Sequence, residues 1–156
     1  MAKTNAARIL DRLHITYMIK TYPVDKSNLS AEHVAQLLDM PAEQVFKTLV
    51  ARTDKRAIVL ACIPGNSELD LKALGAGAGG KRAELVALKE VQLLTGYIRG
   101  GVSPLGTKKP LPVYIDQSAK QWSTLSNSAG QRGTQILIAP DDLCRAANAI
   151  LCNIVK

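Results

Sequence analysis

Two apolar runs, at 45–52 and 57–63, flank the polar tetrapeptide Thr53-Asp54-Lys55-Arg56. Each run has strand length and ends at a turn signal, so the pair reads as an antiparallel hairpin. Elsewhere helical and strand patterns alternate along the chain. A clean parallel βαβ series has no place for a hairpin in its middle. The arrangement therefore predicts a mixed α/β fold, with helices packed on a mixed sheet. At 156 residues, 47% of them hydrophobic, the chain is expected to form one domain over 1–156 with a substantial core.

The remaining elements follow from period and caps. Residues 4–13 read as a helix capped by Thr4 or Asn5, with Ile9, Leu10 and Leu13 on one face. Residues 15–22 read as a strand stopped by Pro23. Ser30 caps a helix carrying Val34, Leu37 and Leu38, and Pro41 opens a short helical turn. Asp70 caps a helix through Leu74 that frays into the glycines at 75–80. A weak strand at 82–86 and a helix at 88–94 come next, then a strand at 113–115. Strands at 122–125 and 135–138 flank a loop at 128–133. Pro140 and Asp141 start a closing helix with Leu143, Ala147, Ile150 and Leu151 inside.

Several classes are excluded as expectations. No run of about 18 apolar residues exists to span a membrane, and residues 1–12 lack the pattern of a secretory signal. Cys62, Cys144 and Cys152 are odd in number and form no CxxC pair, so reduced thiols and a cytoplasmic setting are expected. His14 and His33 have no cysteine nearby, so no metal is expected. Aromatics make up 4% of the chain, too few for a stacking platform. The formal net charge is +7, and the stretch 72–132 holds nine basic residues against three acidic ones. That stretch is either a solvated face or a footprint for phosphates.

Gly75, Gly77 and Gly80 match GxGxxG, and Gly75, Gly80 and Lys81 approach a P-loop. Both motifs need a strand before the glycines and a helix after them. Here the glycines follow a helix, and Arg82 stands where a P-loop needs Ser or Thr. A helix end and turn is the better reading, with no nucleotide cofactor.

Three features carry a chemical signal. Lys47 shares a strand face with Val45 and Leu49, opposite Phe46, Thr48 and Val50. Either its stem snorkels to water or its ammonium points into a pocket and meets an oxygen. The loop at 96–106 contains Gly100-Gly101 and can build an oxyanion hole, or be a plain turn. The loop at 128–133 holds Arg132 among small residues. No Ser-His-Asp set, carboxylate pair or metal cluster stands out. An enzyme built from these parts would work by positioning and backbone donors.

In their order and spacing, Thr21-Tyr22, Val45-Phe46-Lys47-Thr48-Leu49, Leu69-Asp70-Leu71-Lys72, Thr95-Gly96-Tyr97, Gly100-Gly101-Val102-Ser103-Pro104-Leu105-Gly106 and Gly130-Gln131-Arg132-Gly133 resemble the YbaK/EbsC family of aminoacyl-tRNA deacylases. The resemblance covers nearly the whole chain. It implies a strongly twisted mixed sheet, shared with the inserted editing domain of prolyl-tRNA synthetases. It also implies cleavage of mischarged Cys-tRNA(Pro) in trans, without a cofactor, with prolyl-tRNA synthetase as a possible partner. A proline pocket cannot reject so similar a side chain by binding alone. Lys47 matches the family's pocket lysine, and Tyr22, Gly101 and Ser128 match positions lining that pocket. The family also implies substrate-assisted chemistry by the cysteinyl thiol.

On this basis Lys47, Gly100 and Gly101 are the expected catalytic groups, with Gly100 and Gly101 donating backbone N–H to an oxyanion. Tyr22, Ser128, Gly130 and Gln135 are expected to bind substrate. Lys81, Arg82, Arg99, Lys108, Lys109 and Arg132 are expected to contact tRNA. Gln135 stands where some members carry Asp, and it brings no charge. The glycine run at 75–80 is also unusual for the family. The alternatives are an editor of Ala-tRNA(Pro) or Ser-tRNA, and a non-catalytic binding module of the same fold.

Overall fold

The computed structural model describes residues 3–156; Met1 and Ala2, the start of the segment read for a signal, lie outside them. The chain orders as α1 (Asn5–Arg12), β1 (Met18–Thr21), α2 (Ala31–Leu38), β2 (Phe46–Thr53), β3 (Ile58–Pro64), α3 (Leu71–Gly77), β4 (Ala83–Leu85), α4 (Leu88–Thr95), β5 (Val113–Asp116), β6 (Leu125–Ser128), β7 (Thr134–Ile138), α5 (Pro140–Ala147) and β8 (Ile150–Cys152). Short 3₁₀ turns occupy Ala42–Gln44 and Gln117–Gln121. Among the described residues no helix is long and apolar enough to cross a membrane.

The mixed α/β class holds. The strands, however, divide between two sheets rather than one: a five-stranded sheet ordered β4-β2-β3-β5-β8 and a three-stranded sheet ordered β1-β7-β6. The hairpin is antiparallel, with Lys47 opposite Ile63 and Leu49 opposite Ala61. β5 and β8 add in parallel, and the smaller sheet is antiparallel throughout. One parallel bridge, Val45 to Ser126, links the two sheets.

Alternation along β3 divides the core. Leu60 and Cys62 join Phe46, Val50, Ile115, Leu125, Ile136 and Leu143 in the main cluster. Val59, Ala61 and Ile63 face the other way, onto Leu74, Tyr114 and Ile154. A small third cluster seats Val34, Ala35 and Leu38 of α2 on Val45. Thr4, Ser30 and Asp70 cap α1, α2 and α3 by accepting from Ala7, His33 and Ala73. Leu13 and Leu37, expected inside, are exposed.

Three elements differ from expectation for local reasons. The strand expected at 15–22 starts only at Met18, because His14 adopts φ +57° and Ile15 N–H closes the end of α1 on Leu10 O. The strand expected at 122–125 begins at Leu125, since Asp116 caps the 3₁₀ turn that ends at Trp122. α5 stops at Ala147, where Asn148 takes φ 50° and bonds back to Arg145 and Cys144. Ile150 and Leu151 therefore lie on edge strand β8, and Ile150 is exposed.

The glycine run is a packing device. Gly75 lies buried inside α3, and a Cβ there would overlap the N, Cα and C atoms of Arg82. A Cβ on Gly80 would overlap Asp54 Oδ1. That carboxylate accepts from the N–H of Lys81 at 3.0 Å and of Arg82 at 3.4 Å, which pins β4 to the hairpin turn. Backbone cannot yield as a side-chain tip can. Gly75→Ala should therefore destabilise the fold by about 1–3 kcal/mol, while Gly79→Ala, with open space but φ +87°, should cost less. Thermal melts of the two variants check this.

Candidate functional site

Strand β2 presents one edge first to β6 and then to β4. Near its start, Asn127 Nδ2 donates to Phe46 O at 3.1 Å and to Thr48 Oγ1 at 3.3 Å. Further along, Val86 N–H donates to Val50 O at 3.0 Å. Between these ties the two sheets separate, and a cavity of about 410 Å³ opens along residues 45–50. Residues of its wall include Leu29 to Glu32 at the start of α2, Leu85, Val86, Leu88 and Val91 around the start of α4, Arg99, Gly100 and Val102, Tyr22 just past β1, and Ser128 and Gln135 from the smaller sheet.

Lys47 is the charged group of this wall with the most unusual setting. Its Nζ donates to Gly65 O at 3.1 Å, and among the described residues no carboxylate lies within ion-pairing distance. Burial pushes its pKa below the usual lysine range, while the more distant charges of Glu32 and Glu68 partly offset that shift. The first turn of α2 lies beside it, since a Cβ on Gly65 would come within 2.9 Å of Ala31 Cβ. A half-buried ammonium and a helix N-terminus on one wall both favour an anion.

The opposite wall is neutral and polar. Gln135 is buried, and its Oε1 accepts from Ser126 Oγ at 2.7 Å. No hydrogen bond among the described residues uses its Nε2, which leaves a donor beside the cavity. Ser128 Oγ accepts from Gly130 N–H at 3.1 Å, and Tyr22 N–H is tied to Gly133 O at 3.0 Å. The wall contributes no imidazole and no thiol. Cys62 lies behind Thr48 at 3.5 Å, fully buried, and burial pushes its thiol up to about 12. It is no nucleophile at neutral pH. Asp116 is equally occupied, its carboxylate accepting from Ile154 and Ser118 N–H. Among the described residues, no group of three His, Cys, Asp or Glu could hold a metal ion.

The structure thus gathers Lys47, Tyr22, Ser128, Gln135, Arg99 and Gly100 around one cavity. Two of the glycines do other work. Gly101 N–H donates to Ile98 O at 2.9 Å and is unavailable to an oxyanion. Its missing Cβ lets the loop sit against Arg132 N, 3.1 Å from where a Cβ would be. Gly130, at φ +101°, makes room for the Tyr97 ring rather than facing the cavity. Tyr97 Oη in turn donates to Leu105 O at 2.6 Å and braces the loop from Gly100 to Gly106. Gly100 and Val102 both line the cavity, and their N–H groups have no partner among the described hydrogen bonds.

The basic stretch is not one patch. Arg132 Nε donates to Arg99 O at 2.7 Å, beside Gly100, so these two belong to the cavity mouth. Lys108 and Lys109 are exposed near Gly96, past the end of α4. Lys81 and Arg82 sit at the hairpin turn, roughly 20 Å along β2 from Lys47. Sequence reasoning missed Asn127, Tyr97, Val102 and the apolar wall. Only Tyr97 carried a signal, as an aromatic residue between glycines.

The profile of the aminoacyl-tRNA editing domain family matches residues 26–146. EbsC of Enterococcus faecalis, by name a proposed Cys-tRNA(Pro)/Cys-tRNA(Cys) deacylase, is 43% identical over 94% of this chain and 89% of its own. The Escherichia coli multifunctional Ser/Thr-tRNA deacylase ProXp-y is 26% identical over 78% of this chain and 75% of its own. A crystal structure described as a proposed trans-editing enzyme for prolyl tRNA synthetase superposes with a TM-score of 0.82 at 25% identity. It covers 100% of this chain and 99% of that one.

The depressed pKa of Lys47 has a stability consequence. In the unfolded chain the amine returns to its ordinary value of 10.5, so folding disfavours its proton. This cost acts below the folded pKa and disappears as pH rises past 10.5. Lys47→Met should therefore raise the melting temperature at pH 7, with the gain shrinking towards pH 11. Paired melts of wild type and variant across that range check the sign.

Proposed function

The chain belongs to the aminoacyl-tRNA editing domain family, and from that premise we propose that it deacylates mischarged Cys-tRNA(Pro) in trans, as one editing domain over 1–156. The observation that carries the reading is Lys47: a half-buried ammonium with no ion pair among the described residues, in a cavity whose wall offers no imidazole or thiol. Such a site suits a substrate that brings both negative charge and reactivity.

In this reading the aminoacyl end of the tRNA enters the cavity. Lys47 and the N-terminus of α2 hold the ester and the adjacent phosphate or ribose oxygens. The nucleophile is water or the cysteinyl thiol. With water, its oxygen bonds to the ester carbonyl carbon and its proton passes to the departing ribose hydroxyl as the ester C–O bond breaks. With the thiol, a C–S bond forms in place of that C–O bond, and the thiol proton goes to the same hydroxyl. Either path builds negative charge on the carbonyl oxygen, which Lys47 and the N–H groups of Gly100 and Val102 are suited to stabilise. Gln135 supplies a neutral donor to orient the amino acid. No step calls for a cofactor.

Arg99 and Arg132 at the mouth supply phosphate contacts, with Lys108 and Lys109 further out, while Lys81 and Arg82 would serve only a tRNA that wraps to the hairpin end. Prolyl-tRNA synthetase is the natural partner for such an editor, and its cytoplasmic substrate sets the location. The Escherichia coli relative favours a second reading, hydrolysis of Ser- or Thr-tRNA, for which Ser128 and Gln135 offer partners to a substrate hydroxyl.

Incubation with Cys-tRNA(Pro), Ser-tRNA, Thr-tRNA, Ala-tRNA(Pro) and Pro-tRNA(Pro) separates these readings. We expect release of cysteine with proline spared, and a loss of about 10²-fold or more with Lys47→Ala. The KM should rise steeply with salt. Preference for serine or threonine would move the substrate, and no hydrolysis of any ester would leave a binding module.

A further inference from the structure

The cavity has two chemically different ends. Lys47 and Gly65 mark one. Val50, tied to Val86 N–H, marks the other, with Leu85, Leu88 and Val91 around it. The ends lie roughly 10 Å apart along β2. At the apolar end Val86 and Val91 are buried, whereas Leu85 and Leu88 line the cavity yet are 51% and 62% exposed. Nothing in the fold covers these two leucines, and none of the chemistry above uses them.

We propose that Leu85 and Leu88 form a ledge that receives the face of the 3′-terminal adenine of the tRNA. The inference rests on the deacylase reading and deepens it. The amino acid is the tip of the substrate, so it enters first and the body of the tRNA stays outside. The rim must therefore meet the terminal nucleoside. A purine presents a broad apolar face beside polar ribose and phosphate. The half-exposed Leu85 and Leu88 line the same cavity as the cation Arg99. Tyr22 is the only aromatic residue besides Phe46 in the cavity wall, so aliphatic side chains supply the surface that stacking aromatics supply in other single-strand sites. A side chain as small as cysteine cannot reach the rim from the polar end, which leaves the ledge to the base.

Binding of AMP, CMP and ribose 5-phosphate to the whole protein, measured by calorimetry, tests this without turnover. AMP should bind about tenfold more tightly than ribose 5-phosphate. Leu85→Ser combined with Leu88→Ser should remove most of that difference and leave ribose 5-phosphate binding unchanged. Both positions are exposed, so the substitutions spare the core. Equal binding of AMP and ribose 5-phosphate by the wild type would overturn the ledge while leaving the deacylase reading intact. An AMP preference that survives in the double variant would overturn it as well. So would a changed choice between Cys- and Ser-tRNA with AMP binding unaltered, since the leucines would then face the amino acid. Conversely, an AMP preference lost on mutation, in a protein that cleaves no ester, would keep the nucleoside site and sink the activity.

Discussion

One edge of β2 has to satisfy two neighbours. Backbone groups at even positions of this strand point away from β3, so Phe46 and Val50 both offer carbonyls to the same side. The first meets the Asn127 side chain and the second meets Val86 N–H. Because β6 and β4 diverge between these contacts, the edge opens there, and the opening is the cavity. Had β4 continued along the whole of β2, the five-stranded sheet would be complete and Lys47 would flank an ordinary ladder. The site is thus a gap in hydrogen bonding that two short ties hold at a fixed width.

Asn127 shows how much this arrangement depends on buried polarity. Its Nδ2 bonds across the sheets to Phe46 O and Thr48 Oγ1, while its Oδ1 is buried with no partner among the described residues. Ser126 and Gln135 satisfy each other one pleat away. A row of buried polar side chains on β6 and β7 is costly unless paired. Here it fixes the register between the smaller sheet and β2, which apolar contact alone would leave free to slide.

This polarity also explains what the sequence could not reveal. The hairpin, the three capping residues and the odd face of Lys47 were legible because each rests on local pattern. β6 was not: Leu125-Ser126-Asn127-Ser128 has one apolar residue in four, and its burial follows from long-range pairing with β7 and β2. The end of α5 was hidden because Asn148, rather than Gly, takes the left-handed turn. The glycines of the two loops were visible but ambiguous. A glycine that admits a neighbour's ring, as Gly130 does, looks in sequence like one that binds a ligand. The apolar wall was invisible because its members come from β4, α4 and the loop after it.

The close seating of Gly101 on Arg132, with Arg132 Nε bonded to Arg99 O, makes the two glycine-bearing loops one mechanical part. Neither can be reshaped alone. An effort to redesign substrate choice by transplanting a loop from another editor would have to exchange both together, along with the Tyr97 strut that spans them. A single substitution in either loop meets the same obstacle, because a change of shape in one is passed directly to the other.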